Sequence, residues 1–448
     1  MTMTNDSNAA ALRAANLAFA ARYPGEAGAR QPVHTVYGGA QLFGSDAARK
    51  LGNVAMRALR EYAPDAEHMG RALGISDHPA LDTVFARVVE KLEREPVEDF
   101  RIDFEDGYGN RPDAEEDGHA ESVAEALAKG MKEGTLPPFI GIRIKPLNEE
   151  LRARAMRTLE IVLTKLVEKA GGLPENFVVT VPKIVILEQV EYIVAELARI
   201  ERKLGLADGS LRFEVMVEMP QIVLDSEGRS LLPRIPAVSA GRLTGAHFGT
   251  YDYTAGVNIT AAHQRMRHPA CDFAKHFMQV SLAGTGVWLS DGSTTVMPVP
   301  IHRAMAGEIL TAEQDDDNCA SVHGAWKLHF DDVTHSLVGG FYQGWDLHPA
   351  QLVTRYAALY AFFLAGIDAA AARLSNFVNK AAQATLVGDV FDDAATGQGL
   401  LNFFLRGVNS AAITEEDAVA MTGLSVEELR GRSFTKILNN RSGKRAAG

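Results

Sequence analysis

Short runs rich in β-branched and aromatic residues alternate along the chain with longer stretches of helical period. The candidate strands are residues 33–40 (VHTVYGGA), 99–106 (DFRIDFED), 139–146 (FIGIRIKP) and 177–184 (FVVTVPKI). They continue with 212–219 (RFEVMVEM), 246–253 (AHFGTYDY), 286–291 (GVWLSD) and 339–349 (GGFYQGWDLHP). Between them, 149–170 sets Leu151, Met156, Leu159, Ile161, Leu163 and Leu166 among charges, and 187–204 repeats Val190, Ile193, Leu197 and Ile200 at helical spacing. Strand and helix in strict alternation make a parallel α/β fold, and this rhythm of eight points to a (β/α)8 TIM barrel.

After the eighth strand the pattern changes. Residues 350–382 read as a pair of apolar, alanine-rich helices, and 383–448 carry Gly/Asp/Thr turns. Within that stretch, Ser425 with Glu428 three residues on is a capping-box signature. The predicted organisation is an N-terminal helical segment (1–30), a barrel catalytic domain (31–365) and a helical C-terminal extension (366–448) whose last eight residues fray.

Composition narrows the function classes. A formal charge of -12 argues against nucleic acid or an anionic membrane as partner, while leaving room for a locally basic site. The two cysteines, Cys271 and Cys319, form no CxxC pair, so neither a disulfide framework nor structural zinc is expected. The first 25 residues do not read as a secretory signal, no apolar run reaches membrane-spanning length, and a cytoplasmic protein is expected.

Candidate chemistry sits where strands end, the face on which barrels of this class work. Strand two ends in Asp103, Glu105 and Asp106; strands three and four carry Arg143, Lys145 and Lys183; strand five ends in Glu218. Asp252, Asp291 and the pair Asp346/His348 close strands six to eight. A buried parallel strand is normally almost wholly apolar, so charges recurring at equivalent ends call for a shared cause, and one converging site supplies it. Glu218 and Asp252 make an oxygen-ligand pair suited to Mg²⁺, or Mn²⁺. Arg143 suits a carboxylate or a developing oxyanion, with a structural salt bridge to Glu105 or Asp106 as its other reading. Strand alternation sets Asp103 and Glu105 on one face and Asp106 on the other; the preferred assignment is Glu105 inward and Asp106 capping the loop. Candidates for the general base are Asp291, Glu105, His34 and His348, while His247 reads as a core histidine. His329 and His335 fall in a polar stretch, 292–338, that reads as loop.

These residues together form a known pattern. DFEDG (103–107), IRIKPLN (142–148), VPKI (181–184), VEMP (217–220), GTYDY (249–253) and GWDLHPAQ (344–351) occur in order. Across residues 95–365 the chain resembles the HpcH/HpaI aldolase and citrate lyase beta-subunit superfamily of phosphoenolpyruvate/pyruvate-binding barrels, which includes malyl-CoA lyases and is akin to malate synthases. The resemblance implies a Mg²⁺-dependent carbon–carbon lyase or aldolase working through an enolate on a 2-oxo or hydroxy acid or its CoA thioester. It implies Glu218 and Asp252 as metal ligands, Arg143 at the substrate oxygen, the loop Gly249, Thr250, Tyr251 and Asp252 at a substrate carboxylate, and a homo-oligomer. Gly344 stands where the pattern has lysine, strand one lacks the common Arg/Ser start, and 292–338 is long; a CoA ester and a free acid both stay open.

Three alternatives remain at this level. A malate-synthase-like condensing enzyme would use the same metal and arginine. A Schiff-base aldolase would use Lys183 or Lys145. A non-catalytic metabolite-binding barrel would keep the ligands without turnover.

Overall fold

The structure is a computed structural model, and it describes residues 2–25, 29–304, 309–379, 385–387, 390–392, 394–431 and 433–446. Eight parallel strands close into one barrel in the order of the chain: β1 (His34–Gly39), β2 (Asp99–Asp103), β3 (Phe139–Arg143), β4 (Phe177–Val181), β5 (Arg212–Val217), β6 (Leu243–Phe248), β7 (Trp288–Ser293) and β8 (Gln343–Asp346). β8 pairs with β1, with His34 opposite Gly344, so no edge is left open. Most strands end earlier than the sequence pattern suggests. The polar residues Glu105, Lys183, Glu218 and Asp252 therefore lie just beyond strand ends, in the connections that carry barrel chemistry.

The crossover helices bury the stripe their period foretells. In Leu187–Leu204, Val190, Ile193, Leu197 and Ile200 are all fully buried against the sheet. In Arg152–Ala170, Leu159, Leu163 and Leu166 do the same. Each such side chain contributes about 2 kcal/mol relative to exposure, an upper estimate because a denatured chain is already partly collapsed.

The stretch 292–338 differs from its expectation as loop. Its second half is a helix, Ala312–Val338, begun by a Thr311/Gln314 capping box, with Trp326, His329 and Val333 buried. The acidic run at its start masks the helical period of the apolar residues that follow. His329 binds Thr354 Oγ1 at 2.6 Å and Asp346 Oδ1 at 3.0 Å, while His335 meets Asp272 at 2.9 Å, so neither sits in a loop.

The helix Gln351–Ala365 is buried along almost its whole length. Among the described residues no single helix is long and apolar enough to cross a membrane. Gln351–Ala365 passes that test only together with Ile367–Val378, to which it is bent by 44°. Beyond it, Leu374, Phe377, Leu401, Phe404 and Phe434 form a second apolar cluster, and Ser425 and Glu428 make the expected capping box. At the other end the helix Thr2–Arg22 has exposed side chains from Asn8 onward. The expected fraying at the C-terminus meets a helix through Ala446; residues 447–448, and 383–384, 388–389, 393 and 432 of the turn-rich stretch, lie outside the described residues.

The barrel interior is not a purely apolar plug. Arg101 in β2 donates from Nε to Thr180 at 3.0 Å and from Nη2 to Glu214 at 2.8 Å, and it also binds Asp99. His247 lies 3.0 Å from Glu214, as a paired core histidine. This ion layer floors a cavity of about 610 Å³ at the N-terminal mouth, opposite the strand ends that bear the candidate chemistry.

Candidate active site

Register builds the first half of the site. β2 and β3 pair with Asp103 directly opposite Arg143, so both side chains leave the sheet on the same face. Arg143 grips Asp103 in a fork, Nε to Oδ1 at 2.7 Å and Nη2 to Oδ2 at 2.6 Å, and its Nη1 lies 3.0 Å from Glu105. The guanidinium stands 4.9 Å from the Tyr37 ring centroid and 5.4 Å from that of Trp345. It is buried, and its carboxylate partners outweigh the burial that would discharge it, so it stays firmly protonated. A bidentate partner, two aromatic walls and a strand terminus together fix the orientation of one cation.

Asp103 also performs the task expected of Asp106. It accepts the backbone N–H groups of Glu105 at 2.9 Å and Gly107 at 2.7 Å, tying down the loop after β2. Asp106 is exposed instead, with Oδ2 3.3 Å from Lys183 Nζ; burial pushes its carboxyl up, but Lys183 and Arg143 hold it below the usual range. Glu105 points inward between Arg143 and Lys183, and there burial wins and pushes its carboxyl up.

The second half follows β4, β5 and β6. Glu218, one residue past β5, is 1 % exposed. Its Oε1 accepts the Lys183 backbone N–H at 2.7 Å. Burial first, and the nearby Asp252 carboxylate second, push its carboxyl up to about 8. Gly249 makes this position accessible, since a Cβ there would stand 2.5 Å from Glu218 Cβ and 2.6 Å from its Oε2. Asp252 lies in the first turn of the short helix Thr250–Gly256, its Oδ2 3.7 Å from Lys183 Nζ. Thr250 is buried, and Tyr251 donates its hydroxyl to the Ser293 carbonyl at 3.0 Å.

Among the described residues no three His, Cys, Asp or Glu side chains converge on one metal position. Glu218 and Asp252 lie near enough for the charge of one to act on the other, and a pair of carboxylates is a donor set that suits Mg²⁺, which keeps several waters and takes one or two protein carboxylates alongside substrate oxygens. The raised Glu218 carboxyl is the local sign of the fit: burial and the Asp252 charge both push it up, and a divalent charge there would relieve it.

Several expected residues are not brought here. Asp291 points out of the barrel into the helices Pro269–Leu282 and Ala312–Val338. Its Oδ2 accepts from Lys275 Nζ at 3.0 Å and Ser336 Oγ at 2.6 Å, an assignment corrected by β7 alternation, which turns Asp291 away from the interior. His34 is fully buried at the start of β1, accepting the Glu98 N–H at 3.0 Å. His348 accepts from the Ala350 N–H at 3.2 Å, as a turn residue. Lys145 donates to the Phe104 carbonyl at 2.7 Å and pairs with Glu116 at 3.1 Å. Sequence reasoning misses the roles of Asp103, Tyr37 and Trp345. The alternation placing Asp103 beside Glu105 is the signal that points to the first of them. Gly344, where lysine is expected, is explained by Arg355: a Cβ at 344 would meet its guanidinium at 2.8 Å, and that guanidinium is held by Asp346.

Comparison with solved structures finds similar folds. A citrate lyase from Burkholderia xenovorans LB400 shares 16 % identity over 88 % of this chain and 96 % of its own, with a TM-score of 0.55. A Haloferax volcanii malate synthase complex with magnesium and glyoxylate matches at 16 % identity, over 74 % of this chain and 76 % of its own, with a TM-score of 0.47. An HpcH/HpaI aldolase/citrate lyase family protein from Burkholderia cenocepacia J2315 matches at 14 % identity, over 62 % and 84 %, with a TM-score of 0.36. At such identities the likeness is one of fold. Nothing among curated protein sequences matches. A family described as a domain of unknown function, DUF6986, matches residues 12–437.

Proposed function

We propose that this chain, which belongs to the DUF6986 family, is a divalent-metal-dependent carbon–carbon lyase of the aldolase type acting on a 2-oxo or hydroxy acid or its CoA thioester. The observation that carries the reading is one barrel mouth holding both two neighbouring carboxylates, Glu218 and Asp252, and a rigidly oriented cation, Arg143. Mg²⁺ or Mn²⁺, when bound by that pair, would supply Lewis-acid polarisation of a chelating carbonyl.

The chain's own residues do the rest. Arg143 faces the oxygen on which charge develops as the bond beside the carbonyl breaks, and its fixed orientation avoids reorganisation at that moment. Glu105, the one of the four base candidates that lies at this mouth beside Arg143, is placed to hold or release the proton at the carbon centre; burial pushes its carboxyl up, the direction that favours holding a proton. The first turn at Thr250, Tyr251 and Asp252 presents backbone N–H groups suited to a substrate carboxylate.

A Schiff-base route is less well supported. It needs a neutral amine, whereas Glu105, Glu218 and Asp106 outweigh burial and keep Lys183 an ammonium. A condensing, malate-synthase-like direction would use the same groups. We read the protein as a cytoplasmic homo-oligomer with a small carboxylate as partner, which sedimentation of the purified chain checks for assembly.

The deciding experiment is turnover on a panel of 2-oxo and hydroxy acids and their CoA thioesters, with EDTA and with Mg²⁺ restored. Glyoxylate with acetyl-CoA is run in parallel to read the condensing direction. Loss in EDTA with recovery in Mg²⁺ is expected, as is loss in Glu218→Ala. Metal bound with no turnover on any substrate would leave a metabolite-binding barrel instead.

A further inference from the structure

We propose that Lys183 is the resident cation of this site, its ammonium taking up the charge position of a divalent ion and competing with that ion for the carboxylates. The inference rests on the metal reading given above and adds a role for a residue that reading does not use.

Lys183 touches the acidic cluster with both ends. Its backbone N–H donates to Glu218 Oε1 at 2.7 Å. Its Nζ binds Glu105 and stands 3.3 Å from Asp106 and 3.7 Å from Asp252. The main chain is held at φ +52°, a left-handed conformation that a residue with a Cβ adopts only when its surroundings impose it. In that geometry the main chain holds Glu218 while the side chain reaches toward Asp252.

Charge makes the ammonium more than an ornament. Glu105, Asp106, Glu218 and Asp252 surround it, and the arginine at this mouth is committed elsewhere. Arg143 is gripped by Asp103 and walled in by Tyr37 and Trp345, so it acts on Glu218 only from a fixed position, as a weaker pull than that of Lys183. Lys183 can move: its side chain is 26 % exposed and hangs on a flexible four-carbon stem. Like charges avoid one another at short range, so a divalent ion between Glu218 and Asp252 and an ammonium 3.7 Å from Asp252 exclude each other. Metal entry then drives Nζ away from Asp252 while the backbone bond to Glu218 stays.

The sign of the effect separates this role from simple support. If Lys183 competes, deleting its charge tightens metal binding; if its side chain props up the ligands, deleting it loosens binding. The test is calorimetric titration of the full chain with Mg²⁺ at pH 8.5, where protons compete less for Glu218. Lys183→Met and Lys183→Gly are the variants, the glycine also being at ease at positive φ should the methionine fail to fold. At least tenfold tighter Mg²⁺ binding is expected in both, with Lys183→Arg, which keeps the charge, near the parent value. Unchanged or weaker binding in the Met and Gly variants overturns the proposal. Glu218→Gln and Asp252→Asn run beside them. If those two abolish binding and the Lys183 variants do not tighten it, the competitor role alone has failed. If they bind Mg²⁺ like the parent, the metal reading itself has failed and the proposal falls with it.

Discussion

Replacing Glu218 by Gln keeps the shape of the side chain and removes its ability to ionise, which makes the energetic consequence of the buried acid measurable. In the folded protein burial and Asp252 raise the carboxyl from 4.5 to about 8, against the weaker opposing pull of Lys183 and Arg143; Glu105 adds to the rise. In that interval the folded state holds a proton that the unfolded chain has already lost. Stability therefore falls as pH rises from about 4.5 to about 8 and levels off above. At about 1.4 kcal/mol for each tenfold change in proton affinity, the whole interval is worth about 5 kcal/mol. At pH 6 about 2 kcal/mol of that has been lost, and by pH 9 nearly all of it. Urea unfolding of parent and Glu218→Gln, both in EDTA, should show the variant more stable at both pH values, with its advantage growing by about 3 kcal/mol from pH 6 to pH 9. Parallel behaviour of the two proteins across that range would refute the reasoning, because it would mean that Glu218 is not strained by its neighbours. The extra stability should come with loss of any Mg²⁺-induced rise in Tm, the usual exchange at a site that keeps strained charges for function.

Further outcomes follow from individual contacts. Asp103→Ala strands the buried Arg143 guanidinium with Glu105 alone. It should cost about 3 kcal/mol in unfolding free energy and depress turnover as severely as Arg143→Ala, read by urea titration and steady-state kinetics. Gly249→Ala pushes a Cβ to 2.5 Å from that of Glu218, and should destabilise by about 1–3 kcal/mol and abolish the Mg²⁺ response of the melting curve. Asp291→Asn should leave turnover unchanged while lowering stability by about 3 kcal/mol, since Lys275 stays buried with a weakened partner; a large kinetic defect would return Asp291 to the catalytic set.

Much of the site is legible in the chain itself. VEMP and GTYDY locate Glu218 and Asp252, and the inward preference for Glu105 follows from strand alternation. What stays hidden there is partnership. Which of three neighbouring acids orients Arg143 depends on the β2–β3 register, and local pattern favours Glu105 and Asp106 over Asp103, the residue that stands opposite Arg143. The direction of Asp291 depends on where β7 begins, and its ion pair with Lys275 spans two elements whose packing no local pattern states. The stretch before β8 that reads as loop holds a helix whose apolar stripe lies behind an acidic opening turn.

By itself, then, the sequence determined the eight-fold alternation and the identity of the groups at the strand ends, because side-chain period and strand-end chemistry are local properties of the chain. Only the tertiary structure decided which of those groups meet. Barrel closure sets β8 beside β1, walls Arg143 with Tyr37 and Trp345, and lays Lys183 among four carboxylates drawn from three separate connections. The strength of a charge interaction depends on the separation of the groups and on how much water lies around them, both set by the closed barrel, so its outcome belongs to the assembled barrel and not to any segment of it.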